Sequence, residues 1–339
     1  MTKVGGGRTE GSSNARSIIL VWGMIVLTAL IGGVISAPAQ TFPSNRPITL
    51  IVPFAAGGGT DGLARDLAQA LQEKLRVSVV IDNKGGAGGT IAAQQVAKAQ
   101  PDGHTLLFVT STFVTAATTE RKLPYDIEKD FAPIAMLGRG PMLLVANKAA
   151  RIANVQQLIE RARAAPGALN FVSSGTGSIT HLAGELFLQR TGTRMTHIPY
   201  RGSAPAVIDL LSGQGHLFFA TVATILGQVQ GDTVALVAST GRQRSRLFPN
   251  LPTVEEAGIK DYDVGTWWGI VGPAGLPAAI VDRLNGTINE AGASELLSKR
   301  FADEGAEPVR GSPAEFALIL NQELMGWRKV VREGGLKLN

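Results

Sequence analysis

The sequence predicts an α/β fold with two domains, each built on mostly parallel strands flanked by helices, and a ligand cleft between the domains. Three observations support this. The chain has 339 residues, which is enough for two domains with separate cores. Short apolar runs alternate with helical patterns, and this β-α-β-α-β order favours parallel strands joined by right-handed crossovers. Glycine is abundant, at 41 residues, and glycine-rich loops follow several of the predicted strands.

The first α/β unit is predicted over residues 47–110. Its opening strand is a continuous apolar run between Pro47 and a glycine loop. The helix that follows places Leu63, Leu67 and Leu71 on one face, as expected for a helix that packs on a sheet. The predicted elements are strands over 48–54, 77–81 and 105–109 and helices over 62–75 and 90–99.

The middle of the chain repeats this pattern, and the C-terminal part is mainly helical. Pro313 after Ser312 is typical of a helix start. Strands are predicted over 141–146, 168–173, 195–199, 217–221, 234–239 and 267–271, and helices over 155–165, 180–192, 205–212, 277–291, 294–304 and 313–331. If the C-terminal segment returns to the first unit, domain 1 comprises residues 40–143 and 266–339, and domain 2 comprises residues 144–265.

The N-terminus has the order of a secretory signal peptide. Residues 1–16 carry three bases and one acid, residues 17–36 are uncharged and mostly apolar, and Ala37-Pro38-Ala39 forms a small-x-small cleavage site. We therefore expect cleavage after Ala39 and export of the mature protein. The alternative is a retained membrane anchor, because the apolar stretch is close to the length that spans a bilayer.

Composition and charge exclude several kinds of chemistry and partner. The chain has no cysteine, which excludes disulfides, thiolate chemistry and lipoprotein attachment. The formal net charge is +5, and removal of residues 1–39 leaves about +3, which suits a small anionic ligand. No run of Lys and Arg interleaved with aromatic residues occurs, so nucleic acid is not expected as a partner.

Three loops share one design, in which a strand is followed by small residues and then by a helix. The first loop is AAGGGTDG at 55–62, the second is NKGGAGGT at 83–90, and the third is SSGTGS at 173–178. Each places backbone N–H groups at the positive end of a helix dipole, and glycine lets a ligand approach the backbone closely. One such loop is usually an ordinary tight turn. Three at equivalent strand ends favour the binding of a carboxylate or phosphate.

The first loop also fits G-x-G-x-x-G through Gly57, Gly59 and Gly62, and Asp82 follows about twenty residues later, as in dinucleotide-binding folds. We do not interpret it as a dinucleotide site. Asp61 lies inside the motif, where a carboxylate would repel a pyrophosphate, and the glycines begin three residues after the last apolar residue of the strand. An exported protein also has little access to NAD, and the G-K-[ST] of a P-loop is absent. No cofactor is expected.

Catalytic and metal chemistry has little support in the sequence. The four histidines show no metal-ligand spacing, and no G-x-S-x-G sequence occurs. Ser178 lies three residues before His181, so an exported hydrolase with a Ser–His pair stays an alternative, although helix capping by Ser178 is the simpler explanation of the spacing. Trp267 and Trp268 lie at the start of a predicted strand. Either both rings belong to the core, or one ring of the pair lines the cleft.

A series of short motifs is spread over residues 45–330. They are PF-x-x-GG-x-x-D-x-x-AR at 53–65, DNK-x-GAGG at 82–89, PDGHTLL at 101–107, YD at 125–126 with KDF at 129–131, SSG-x-GS at 173–178 with HLAGELF at 181–187, H-x-PYRG at 197–202 with PA at 205–206, and LPT-x-x-EAG at 251–258. Together they resemble the Bug family, the substrate-binding proteins of tripartite tricarboxylate transporters. No single motif is specific, but the set covers nearly the whole mature chain.

The resemblance implies a periplasmic binding protein-like fold, in which two hinged domains close over a small ligand. It implies that the protein captures a small organic acid in the periplasm and delivers it to the membrane permease subunits of a tripartite tricarboxylate transporter, without catalysis. We expect a monomer. A ligand-sensing module for a membrane sensor is a further alternative.

The resemblance also indicates where a ligand would bind. In the family, backbone groups and waters at the first and third loops hold a ligand carboxylate, and Asp61 would order the first loop or accept from the ligand. Ala220 stands where many relatives carry a polar or acidic residue, which disfavours an amino-acid ligand. The candidate ligand-binding residues are Phe54, Ala55, Gly57, Gly58, Asp61, Ala87, Thr110, Thr112, Ser173, Ser174, Gly175, Thr176, Ser178, His181, Ala220 and Trp267.

Overall fold

The computed structural model describes residues 1–7, 42–119 and 122–333. The chain divides into two units, Met1–Ser44 and Asn45–Asn339, and all described helices and strands belong to the second unit. Most of the predicted signal peptide, including its cleavage site, lies outside the described residues. Within those residues, no helix is both long and apolar enough to cross a bilayer.

Ten strands form one continuous sheet in the described part of the chain. They are β1 Ile48–Val52, β2 Val79–Asn83, β3 Thr105–Thr110, β4 Phe131–Asn147, β5 Asn170–Ser173, β6 Thr196–Pro199, β7 Leu217–Thr221, β8 Val234–Ser239, β9 Gly265–Pro273 and β10 Glu307–Pro308. The order across the sheet is β2-β1-β3-β9-β4-β7-β5-β6, and both β8 and β10 pair with β4.

The sheet has two halves that share β4. In the first half β1 pairs in parallel with β2 and β3, and in the second half β5 pairs in parallel with β6 and β7. The long strand β4 pairs antiparallel with β9 over Phe131–Pro141 and with β7 over Met142–Ala146. The parallel pairs predicted from the β-α-β order therefore occur within each half, and antiparallel pairs join the halves.

Strand β4 is much longer than the strand predicted over 141–146. Its first ten residues, FAPIAMLGRG, contain a proline and two glycines, which are unusual inside strands. The strand accommodates them with register shifts at Pro133–Ala135 and Met136–Gly138. A Cβ on Gly138 would lie 2.6 Å from the Phe301 ring, so glycine is required where that ring packs on the strand.

Ten α-helices cover the sheet within the described residues. They are α1 Gly59–Leu75, α2 Thr90–Ala97, α3 Ser111–Thr119, α4 Val155–Ala164, α5 Ile179–Thr191, α6 Ser203–Ser212, α7 Val222–Gln230, α8 Ala278–Ala291, α9 Glu295–Asp303 and α10 Pro313–Glu333. The eight helices predicted from the sequence begin and end within three residues of these bounds. The sequence does not predict α3 and α7, because their threonines, valines and glycine have low helix propensity.

The sheet is buried on both faces, as expected for strands flanked by helices. Alternate residues of β4 point to opposite sides: Leu144 and Ala146 belong to a large core that extends under both halves, whereas Leu143 and Val145 belong to a smaller core beneath α6 and α7. The two cores fix both halves of the sheet, so the loops at the strand ends have a rigid support.

Tyr262 offers a test of the large core. Its side chain is fully buried, and its hydroxyl donates a 2.8 Å hydrogen bond to the carbonyl oxygen of Ala183 in α5. Tyr262→Phe keeps the ring and removes the hydrogen bond, so urea denaturation should show a loss of about 0.5–1.5 kcal/mol in the free energy of unfolding. Tyr200→Phe, which removes a less buried hydroxyl that donates to Asp209, should cost less. An unchanged unfolding free energy for Tyr262→Phe would contradict this packing.

Candidate ligand-binding cleft

A cleft of about 510 Å³ lies between the two halves of the sheet. Its walls come from the segments after β1, β2 and β3 on one side and after β5 and β6 on the other. Because the carboxyl ends of parallel strands lie at the same edge of a sheet, the loops that follow them converge there. The cleft is lined by Pro53, Phe54, Gly85, Gly86, Gly88, Gly89, Thr112, Thr119, Lys122, Ser174, Gly175, Thr176, Pro199, Tyr200, Arg201 and Gly202.

Asp61 orders the first loop. Its carboxylate accepts hydrogen bonds of 2.9 Å from the Gly57 amide, from Arg65 Nε and from Asn83 Nδ2. Asn83 Nδ2 also donates to the carbonyl oxygen of Phe54 at 3.1 Å. The loop turns at Gly57 with a φ of 87°, a left-handed value that favours glycine. All of these partners belong to the protein, so ordering of the loop is the role of Asp61 that the structure supports.

The same contacts change the acidity of Asp61. Burial opposes ionisation, but the hydrogen bonds from Arg65, Gly57 and Asn83 outweigh it and lower the pKa of the carboxyl below its ordinary value. Folding therefore favours the ionised form. The stability that Asp61 contributes is present above the ordinary carboxyl pKa and is lost as the pH falls through the lowered pKa.

The N-terminus of α1 has no side-chain cap. Gly58 is the N-cap residue, and the acid in the first turn, Asp61, directs its carboxylate to the preceding loop instead. The first intrahelical hydrogen bond runs from Gly62 N to Gly58 O at 3.0 Å, so the N–H groups before it have no acceptor within the helix. This end of α1 faces the second half of the sheet, because a Cβ on Gly59 would lie 2.5 Å from the Cβ of Ala223 in α7.

The second loop lines the cleft with backbone. Gly86, Gly88 and Gly89 have φ values of 122°, 59° and 92°, which side chains rarely allow. The Gly89 amide donates to Gly86 O at 3.0 Å around the short 3-10 turn Ala87–Gly89. A Cβ on Gly88 would lie 3.4 Å from the carbonyl oxygen of Thr176, which belongs to the third loop across the cleft.

Ser178 caps α5, as its position in the sequence suggests. Its Oγ accepts from the His181 amide at 3.3 Å and donates to the Gly175 carbonyl oxygen at 2.6 Å. The Ile179 amide donates to Thr112 Oγ1 in α3 at 3.3 Å, which joins the third loop to the other half of the sheet. Unlike α1, this helix begins with its first amides bound to acceptors within the protein.

Other amides of the third loop are engaged as well. The pairs are Ser174 N to Thr180 Oγ1 at 2.9 Å, Gly175 N to Ser173 Oγ at 3.1 Å and Gly177 N to His181 Nδ1 at 3.2 Å. From the sequence we expect these amides to donate hydrogen bonds to the ligand. In the structure, side chains of the loop and of α5 already accept from them. The Thr176 amide donates to no acceptor among the described residues, so Thr176 is the part of this loop that offers a free amide to the cleft.

The Ser178–His181 pair required by the hydrolase alternative is not formed, because Ser178 Oγ is bonded to Gly175 and the His181 ring accepts a backbone N–H. A different Ser–His contact occurs between Ser173 Oγ and His197 Nε2 at 2.6 Å. Ser173 has no exposed surface, so a substrate does not reach it. Burial, and then the adjacent His181, lower the pKa of His197 to about 3, which keeps its ring neutral.

Two cations and no acid line the cleft within the described residues. Lys122 and Arg201 are exposed, and neither forms an ion pair in that part of the chain. Tyr200, next to Arg201 in the chain, also lines the cleft. Its pKa is raised to about 12 by burial and by its hydrogen bond to Asp209, so the phenol stays neutral. The cleft therefore favours anions. No cluster of His, Asp or Glu in the described residues could hold a metal ion.

Most of the predicted site residues lie at or directly behind the cleft. Phe54, Thr112, Ser174, Gly175 and Thr176 line it. Ala87 lies in the backbone turn between two lining glycines. Three residues at the start of α1 are exposed or partly exposed: Ala55, Gly57 and Gly58. Four residues are buried behind the loops: Asp61, Ser173, Ser178 and His181. Thr110 borders a small space beside Phe54 and Thr112.

Two predicted residues lie in strands of the sheet and not in the loops around the cleft. Ala220 is fully buried in β7 opposite Leu143, because the alternation of the strand turns its side chain into the smaller core. Trp267 is buried in β9 and lines a separate cavity of about 820 Å³ that also contains Arg242 and Glu323.

Several lining residues are absent from the sequence-based set. Tyr200 and Arg201 directly follow β6, and the rule that placed the third loop after β5 could have identified them. Lys122 follows α3, a helix that the sequence does not predict, so no local signal placed it. The sequence identifies the glycines on either side of Ala87 as a loop, but it does not show that their backbone forms a wall of the cleft.

Asp61→Asn tests the network of the first loop. Asparagine offers one acceptor oxygen in place of two and carries no charge, so we expect the unfolding free energy at pH 7 to fall by about 1–3 kcal/mol. The deficit relative to the unmodified protein should shrink as the pH is lowered below about 4, where the aspartate of the unfolded chain becomes protonated. The exposed Asp282→Asn is the control and should change little. A deficit that does not depend on pH would show that the carboxylate charge is not what holds the loop.

Comparison with known proteins agrees with this architecture. The model of the tripartite tricarboxylate transporter family receptor, TctC, matches residues 63–336. Protein BugT of Bordetella pertussis is 37% identical over 327 residues, which cover 96% of this chain and 99% of BugT.

Solved structures give the same relationship. The R. palustris protein Rpa4515 with adipate has a TM-score of 0.83 and 36% identity, over 87% of this chain and 98% of that one. MatC (Rpa3494) from Rhodopseudomonas palustris with bound malate has a TM-score of 0.81 and 32% identity, over 86% of this chain and 100% of that one. The resemblance to the Bug family and the periplasmic binding protein-like fold expected from the sequence are confirmed, and this chain belongs to the receptor family of the tripartite tricarboxylate transporters.

Proposed function

We propose that this protein is a periplasmic receptor that captures a small dicarboxylate in the 510 Å³ cleft and delivers it to the permease of a tripartite tricarboxylate transporter. The observation that carries the proposal is the chemistry of the cleft wall: Lys122 and Arg201 supply two positive charges, and none of the described lining residues is acidic. Two relatives of similar structure have adipate and malate bound, and both ligands are dicarboxylates.

Backbone donors supply the second part of the site. The uncapped first turn of α1 and the free amide of Thr176 belong to opposite halves of the sheet and would hold one carboxylate from two sides. Lys122 and Arg201, in the wall of the cleft, would neutralise the other carboxylate. Candidate site residues that are buried, such as Asp61 and Ser178, would act by shaping the loops and not by touching the ligand.

Ligand capture would depend on movement between the two halves. Strand β4 passes from one half to the other near Pro141, and the chain returns to the first half where β9 begins at Gly265, so bending near Pro141 and Gly265 would open the cleft. We propose domain boundaries at these crossing points, at residues 143–144 and 265–266. The closed form would then present one surface to the permease and the open form another.

The alternatives make different predictions. A receptor returns its ligand unchanged, whereas a hydrolase consumes it, and the Ser–His contact that does form is buried. A sensing module would bind the same acids but would associate with a membrane sensor instead of a permease. Association with co-expressed permease subunits, dependent on ligand, would support delivery. Association with a sensor ectodomain alone would contradict it.

Gly58→Val tests the role of the first loop. Gly58 has an extended backbone, φ −84° and ψ 166°, and a Cβ there would meet nothing within 4 Å, so the variant should fold normally. The larger side chain would cover the amides at the start of α1, and we expect calorimetry to show that adipate or malate affinity falls at least about tenfold. Gly286→Val, which also has open space but lies in α8, is the control for the substitution itself. Unchanged affinity in Gly58→Val would place the carboxylate elsewhere.

A matched pair of acids tests the charge of the cleft. Adipate and hexanoate have six carbons each but carry two carboxylates and one. At equal concentration and low salt, adipate should raise the Tm more than hexanoate, because only adipate neutralises both ends of the site. Lys122→Gln combined with Arg201→Gln should reduce the adipate shift to the hexanoate level, whereas Arg242→Gln, in the other cavity, should not. Equal shifts for both acids, or none for any acid, would contradict the proposal.

A further inference from the structure

We infer that His181 and His197 form a stacked pair that sets the shape of the third loop, each acting as a positioning residue for one of its glycine amides. His181 acts directly on Gly177, and His197 acts on Gly175 through Ser173. Neither histidine touches the cleft. The inference builds on the proposed function only in its effect on ligand affinity, because the positioning itself is a property of the unliganded protein.

The first arm of the pair is His181 on α5. Its Nδ1 accepts the Gly177 amide at 3.2 Å, and its Nε2 lies 3.4 Å from Glu185 Oε1 one turn further along the helix. An Nδ1 that accepts must be unprotonated, so the proton of the neutral ring is on Nε2, facing Glu185. The Glu185 carboxylate beside Nε2 favours the tautomer that can hold Gly177.

The second arm is His197 on β6. Its Nε2 lies 2.6 Å from Ser173 Oγ, and the same oxygen accepts the Gly175 amide at 3.1 Å. Ser173 Oγ also lies 3.2 Å from the Gly175 carbonyl oxygen, so its proton has two acceptors within reach. The neutral His197 ring can present an unprotonated Nε2 at the shorter of the two contacts, and the Ser173 oxygen accepts the Gly175 amide at the same time. The chain of contacts transmits the position of a β6 side chain to a loop that follows β5.

Stacking connects the two arms. The rings of His181 and His197 have centroids 3.9 Å apart and are 14° from parallel. Phe171 packs beside both imidazoles, with its centroid 4.9 Å from that of His197 and 6.3 Å from that of His181. Three nearly parallel rings from α5, β6 and β5 thus form one cluster below the loop. Movement of either imidazole would displace both glycine amides.

The loop needs such support because its glycine backbone packs closely against the other half of the sheet. A Cβ on Gly177 would lie 2.4 Å from Thr119 Oγ1 of α3, and the backbone of Gly175 lines the cleft with a φ of 136°. With Gly175 and Gly177 held from below, Thr176 between them is presented to the cleft with its amide free.

Paired variants separate the hydrogen bonds from the stacking. His181→Phe keeps a flat ring but has no acceptor, whereas His181→Asn keeps an oxygen near the position of Nδ1. In the unliganded protein, NMR-detected amide exchange should be at least about tenfold faster at Gly177 in His181→Phe and near normal in His181→Asn. His197→Phe and Ser173→Ala should instead accelerate exchange at Gly175. Adipate affinity should fall in His181→Phe and recover in His181→Asn.

Several results would overturn the inference. Unchanged exchange at both glycines in the Phe variants would do so, as would equal acceleration throughout the second half of the sheet. A measurement on the unmodified protein keeps the inference testable if a variant fails to fold: imidazole ¹⁵N shifts must show neutral His181 with its proton on Nε2. The opposite tautomer contradicts it. If the unmodified protein binds neither adipate nor malate, the proposed function fails, and the exchange and tautomer results still decide this inference.

Discussion

The site depends on close approach of bare backbone from the two halves of the sheet. A Cβ added to Gly59 would lie 2.5 Å from Ala223, and one added to Gly177 would lie 2.4 Å from Thr119. A Cβ added to Gly88 would contact the carbonyl oxygen of Thr176. Glycine at these positions lets α1 meet α7 and lets the third loop meet α3. A side chain at Gly59 or Gly177 would hold the halves apart, and the cleft walls would no longer face each other across a space of small-molecule size.

Within this constraint the two helix starts are treated differently. Before α5 the loop amides donate hydrogen bonds to the side chains of Ser173, Thr180 and His181. This side of the cleft is therefore rigid before a ligand arrives. At α1 the first-turn acid, Asp61, accepts from the Gly57 amide of the preceding loop, so the amides at the start of the helix have no side-chain cap. A rigid wall opposite an unsatisfied helix end is an arrangement suited to an anion that completes the hydrogen bonding on closure.

The sequence predicts much of the fold because its βα units have strong local signals: apolar runs, glycine loops and capped amphipathic helices. It does not predict the first part of β4, whose proline and glycines are tolerated only through register shifts and contact with Phe301. It identifies the loops of the site but not which of their amides already have acceptors within the protein. The partners of the Gly175 and Gly177 amides depend on tertiary packing. Lys122 carries no local signal, and Arg201 is marked only by its position directly after β6.

In the proposed complex one ligand carboxylate lies against the start of α1 and the other lies toward the two cations. A crystal structure of the protein with adipate would show both positions. We expect adipate in the cleft between the halves, with a carboxylate oxygen about 2.7–3.2 Å from an amide nitrogen at Gly58–Thr60 and the other carboxylate nearer to Lys122 and Arg201. Adipate in the cavity beside Trp267, or in the cleft with both carboxylates away from α1, would contradict it.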